Sequence, residues 1–153
     1  MTGKNKIITL TVALVVACAA IAGAFSLPGI GKADKVKGVN GVVTIPAAKV
    51  SDGKAHFFKY SDGRKDITFF AVKGPDGSIR TAFDACDACY REKKGYEQQG
   101  KVMVCKNCNM KFPINRMGPN MTGGCNPSYL PHQLSGDAIT VKTSDLNAGA
   151  RFF

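Results

Sequence analysis

Two pairs of cysteines dominate the chemistry available to this chain: Cys86-x2-Cys89 and, fifteen residues further on, Cys105-x2-Cys108. Two residues between cysteines let both sulfurs of a tight loop point at one ion or cluster, and the intervening excursion brings a second such loop opposite the first. Tetrahedral sulfur coordination suits zinc or iron–sulfur chemistry. A cluster can pass single electrons, whereas zinc can only hold structure. In an oxidising compartment a pair of disulfides is another reading. Thioredoxin-like dithiol chemistry would use one CxxC only and lacks a βαβ context. Cys125, in Gly123-Gly124-Cys125-Asn126-Pro127, is a fifth candidate that either replaces one of the four ligands or lies just outside them. Met103, Met110, Met117 and Met121 fall in the same segment. Soft sulfur from Met and Cys is what copper(I) prefers. The ordinary account is core filling for Met103 and surface loops for the other three.

Other polar candidates carry less. His56 stands among Phe57, Phe58 and Tyr60 and reads as a packed strand histidine; His132, after Pro131, is a weaker ligand candidate still. Asp84 and Asp87 flank the first cysteines and do not suit an anion site. No Ser–His–Asp arrangement, Gly-rich phosphate loop or pair of catalytic carboxylates is recognisable. The expectation is a carrier or metal-binding protein more than an enzyme with its own substrate.

These loops need a frame. Strand signals recur at short intervals, at Val42–Ile45, His56–Tyr60, Ile67–Val72 and Ile79–Phe83. Turn clusters separate them, and Gly74-Pro75-Asp76-Gly77 predicts a hairpin. The nearly unbroken apolar run Ile67–Val72 predicts a central strand. The first CxxC follows the fourth strand directly. The polar piece after it, with Arg91-Glu92-Lys93-Lys94 and Gln98-Gln99, reads as a helical turn or loop. Lys101–Val104 leads into the second CxxC as a strand, Phe112–Ile114 continues beyond it, and Ala138–Val141 is the last strand. Many short strands at this spacing predict an all-β sandwich or barrel.

Ile7–Leu27 contains no charged residue over 21 positions, and about 20 suffice to cross a bilayer as a helix. The expectation for 1–27 is an N-terminal hydrophobic helix acting as anchor, with a cleaved signal or a lipidated Cys18 as alternatives. Each places the following domain outside the cytoplasm, tethered to the cytoplasmic membrane or released into the periplasm. Residues 28–40 read as a Gly- and Lys-rich linker, 41–147 as the metal-binding domain and 148–153 as a tail. Removing Lys4 and Lys6 from the formal charge of +10 leaves +8. The lysines are dispersed, so nucleic acid is not the expected partner; a membrane and an anionic partner are.

The run Phe83-Asp84-Ala85-Cys86-Asp87-Ala88-Cys89-Tyr90, then Lys94-Gly95-Tyr96, Val104-Cys105-Lys106-Asn107-Cys108 and Gly123-Gly124-Cys125-Asn126-Pro127 resembles the signature of the FtrD-like membrane iron–sulfur proteins. That resemblance implies a membrane-associated iron–sulfur protein, most simply with a 2Fe-2S cluster on Cys86, Cys89, Cys105 and Cys108. It further implies one-electron transfer to or from a membrane redox or iron-transport partner. Zinc and copper remain the alternative metals. At the level of fold, the order of strands and ligand loops looks like a Rieske domain, with Cys89 and Cys108 where that domain has histidines. Thiolates in place of neutral imidazoles imply a potential falling from the Rieske range of about −150 to +300 mV toward about −400 mV.

Overall fold

The computed structural model describes residues 33–121 and 123–153. Strands β1 (Asp34–Val36), β3 (His56–Ser61), β4 (Asp66–Lys73) and β5 (Ile79–Phe83) form a four-stranded sheet in the order β1-β3-β4-β5. Strands β2 (Val42–Pro46), β9 (Gln133–Ser135) and β10 (Ala138–Lys142) form a second sheet, ordered β2-β10-β9. A third sheet is the meander β6 (Tyr96–Gln99), β7 (Val102–Cys105) and β8 (Lys111–Pro113). Among the described residues one short helix, α1 (Thr143–Ala148), runs into a 3-10 turn at Gly149–Phe152.

The reason β4 reads as continuous apolar sequence is now visible. Ile67, Phe69 and Ala71 point to one side, where they share a core with Val43, Ile45, Ile139 and Val141 of the second sheet. Phe70 and Val72 point to the other side and pack with Tyr96, Met103, Cys105 and Phe112 of the third. A strand covered on both faces has no polar face to alternate with. Burying each of these large side chains contributes about 1.5–3 kcal/mol. The expected all-β architecture is present, arranged as a central sheet with a smaller sheet against each face.

Three differences from expectation have local causes. The polar run Tyr96–Gln99 is not a loop or helical turn but strand β6, because pairing with β7 satisfies its backbone and only Tyr96 needs to be buried. Residues 34–36, inside the presumed linker, form β1, parallel to β3. The presumed tail is anchored: Phe152 is buried and packs with Phe83 and Tyr90. The backbone at Gly149 explains this path, since a Cβ there would overlap the Phe83 ring.

No helix among the described residues is long and apolar enough to cross a membrane. The apolar run Ile7–Leu27, Cys18 within it, and the expected N-terminal helix lie outside the described residues.

Candidate metal centre

Each CxxC sits where a strand ends. The first follows β5, and its turn is closed by Tyr90 N–H donating to the Cys86 carbonyl at 3.1 Å. Cys89 N–H also points at Cys86 Sγ, 3.2 Å away. In the second, Cys105 is the last residue of β7, and Asn109 N–H donates to its carbonyl at 2.8 Å. Asn109 holds a positive φ of 60°, a left-handed conformation that Asn tolerates better than most residues and that folds the loop back onto β8. Cys105 N–H then donates to the Met110 carbonyl at 3.0 Å.

A third loop brings Cys125 to the same place. Ala88 N–H donates to the Gly124 carbonyl at 3.2 Å, and Ser128 N–H to the Ala85 carbonyl at 3.0 Å. The Tyr96 hydroxyl donates to the Cys125 carbonyl at 2.5 Å. These bonds fix the Cys125 sulfur 3.4 Å from that of Cys89. The sulfurs of Cys86, Cys89 and Cys125 lie within 4.8 Å of one another, and so do those of Cys89, Cys105 and Cys108. Cys89 is common to both groups. All five are free thiols.

The burial is graded. Cys86 and Cys105 are 1% and 2% exposed, Cys89 and Cys125 are half-buried, and Cys108 is exposed. A cavity of about 220 Å³ reaches Cys86, Cys89 and Cys105 and is also lined by Asp84, Lys93 and Asn107.

Crowded sulfurs repel one another once ionised. The hydrogen bond with Cys108, burial, and the contact with Cys89 push the Cys125 thiol well above its usual range. Tyr96 is likewise raised, by burial first and then by Cys86, whose sulfur competes for the phenolic proton. Five thiols held this close favour a bound cation, which would remove the penalty for ionising them. The donor set is all sulfur and so fits an iron–sulfur cluster, zinc or copper(I). Asp84, against the first loop, is pushed up to about 6 by burial, opposed by the Tyr96 N–H on Oδ1 and by the Lys106 charge.

The remaining candidates fall elsewhere. His56 pairs with Asp52 at 2.9 Å, and His132 Nδ1 lies 2.8 Å from the Thr81 hydroxyl. Asp87 pairs with Arg151 at 3.1 Å. Among the methionines, Met103 fills the core as expected, Met110 is exposed and Met121 is half-buried beside the cysteine cluster. Met117 is buried, contrary to its reading as a surface-loop residue, because it closes the second core beneath its loop. Sequence reasoning also missed Tyr96 as a support for the sulfurs, since its strand looked like a polar loop.

Residues 50–153 match the family described as membrane iron-sulfur containing protein FtrD-like, and the chain belongs to that family. No curated protein and no solved structure matches it.

Proposed function

We propose that this protein is an extracytoplasmic, membrane-anchored one-electron carrier serving iron transport. The observation that carries the proposal is the convergence of five free sulfurs from three loops in a member of a membrane iron–sulfur family. Cys86, Cys89, Cys105 and Cys108 hold the centre, with Cys125 as the neighbour that crowds Cys89. A thiolate-bound cluster, here of the 2Fe-2S type, supplies one-electron oxidation and reduction. The protein excludes water from Cys86 and Cys105, donates the Cys89 N–H to Cys86 Sγ, and leaves Cys108 at the surface. Two ligand loops, one leaving β5 and one on the β7–β8 hairpin, also support a Rieske-like arrangement, with thiolates at the histidine positions.

The test is absorption and electron paramagnetic resonance spectra, with iron and sulfide analysis, on the full chain purified without oxygen. Visible charge-transfer bands and a signal on reduction are expected. A colourless protein with one zinc would reject the carrier and leave a structural or interaction module. Cys125→Ser is expected to keep iron and colour. If both vanish, Cys125 is a ligand and the four-residue set is wrong.

A second reading draws on one feature, the pair of three-sulfur groups sharing Cys89. Two copper(I) ions in three-thiolate sites bridged by Cys89 fit that grouping, and soft ligands select this metal. Copper content without sulfide would favour a delivery module.

A further inference from the structure

We infer that electrons enter and leave at Cys108, and that the surface around it is a basic docking face for the acidic face of a redox partner protein. The inference rests on the electron-carrier reading. Among the five described cysteines only Cys108 is exposed; Cys86 and Cys105 are buried in the core that holds Phe70, Tyr96, Met103 and Phe112. A partner approaching from the solvent therefore comes nearest the centre at this loop.

The loop has the character of an interface. Met110, two residues beyond Cys108, is 52% exposed and is one of three large exposed apolar residues among those described. Lys106 and Lys111 flank the loop, both exposed. Lys106 N–H donates to the Gly95 carbonyl at 3.0 Å, which places Lys94 beside them. None of these three lysines makes a salt bridge among the described residues, whereas Lys49, Lys59, Arg80 and Arg151 each pair with an aspartate. From Lys94 to Ile114 the third sheet carries four lysines against one glutamate, Glu97. An apolar contact flanked by lysines that make no salt bridge among the described residues complements an acidic partner, and such complementarity acts mainly on the rate of encounter.

Two small oxidants of opposite charge probe that field directly. The full chain, in detergent and with its visible bands verified, is reduced with dithionite and freed of excess. It is then mixed with ferricyanide or with hexaamminecobalt(III). Each accepts one electron from the reduced protein, yielding ferrocyanide or the cobalt(II) complex. The ratio of the two rates is the readout, because a change in the centre's own potential acts on both. At low salt the ratio should favour ferricyanide, and Lys106→Glu with Lys111→Glu should lower it about tenfold. Lys35→Glu with Lys59→Glu, on β1 and β3 at the opposite edge of the central sheet from β5, is the control for net charge and should move it little. If the acidic pair loses its colour, Lys106→Gln with Lys111→Gln supplies the same comparison. An unchanged ratio in the loop variant, or an equal fall in the control, overturns the docking face. Absence of visible bands at the outset instead rejects the electron carrier itself.

Discussion

Tyr96 shows how much one side chain can decide. Its hydroxyl has a single proton, which it donates to the Cys125 carbonyl, and the nearby Cys86 sulfur adds to the burial that raises its pKa. A hydrogen bond to a ligand sulfur stabilises the more negative, reduced form of a cluster. Tyr96→Phe should therefore lower the midpoint potential, by about 40 mV if about 1 kcal/mol of differential stabilisation is lost. Redox titration followed by electron paramagnetic resonance measures it. An unchanged potential would mean that the proton stays on the Cys125 carbonyl and that Tyr96 only positions the loop. Gly95, next to it, is fixed for a steric reason. Its φ is +66°, and a Cβ would lie 2.5 Å from both carboxylate oxygens of Asp84. Gly95→Ala should destabilise the protein by about 2 kcal/mol or more, combining left-handed strain with the displacement of Asp84. Thermal or denaturant unfolding is the check, and a neutral result would show that Asp84 can move aside without loss.

At the scale of elements, the third sheet depends on the centre in a way that the other two do not. Its core with β4 and β5 includes Cys86 and Cys105, whereas among the described residues the core between the central and second sheets contains no cysteine. Cys105→Ser should abolish the visible absorption and expose the amides of β6, β7 and β8 to rapid hydrogen exchange. The β3–β4 and β2–β10 amides should remain protected, because local opening follows the cooperative units of the structure. Uniform loss of protection would show instead that the whole fold is one unit with its metal. The C-terminal turn is a second support. Lys93 Nζ donates to the Phe152 carbonyl at 3.1 Å, and Phe152 stacks edge-on against Tyr90 at 5.9 Å, directly after the first ligand loop.

For the molecule as a whole, His132 links stability to pH at a point away from the sulfurs. The Thr81 hydroxyl donates to the Leu130 carbonyl, so it can only accept from His132, which must carry its proton on Nδ1. Burial first, and the Arg80 charge second, hold the imidazole below its usual pKa; the Leu130 carbonyl opposes them. A histidine favoured as neutral in the fold contributes stability above its unfolded pKa of about 6.5, which is lost as the pH falls below that value. The stability advantage of the unsubstituted protein over His132→Gln should shrink as the pH falls from about 7 to 5, while the raised Asp84 carboxyl acts in the opposite sense in both. Equal slopes in both proteins would assign the acid sensitivity to other groups.

Much of this arrangement was written in local pattern. The spacing of Cys86, Cys89, Cys105 and Cys108 announced two ligand loops, and alternation with turn residues announced β2, β3, β5 and β10. The nearly unbroken apolar run of β4 announced a central strand. These are short-range properties, set by what a few consecutive residues can bury or bend. The remainder depended on contacts between distant residues. Strand β6 has a polar sequence and becomes a strand only because β7 offers hydrogen bonds. Cys125, 36 positions from Cys89, reaches it through backbone bonds from Ala88 and Ser128 that no spacing encodes. Phe152 shields the first ligand loop because Gly149 lets the chain pass over Phe83. Sequence by itself determined which atoms could bind a metal; the packing of three sheets decided which sulfurs meet, which are dry, and that Cys108 faces the solvent.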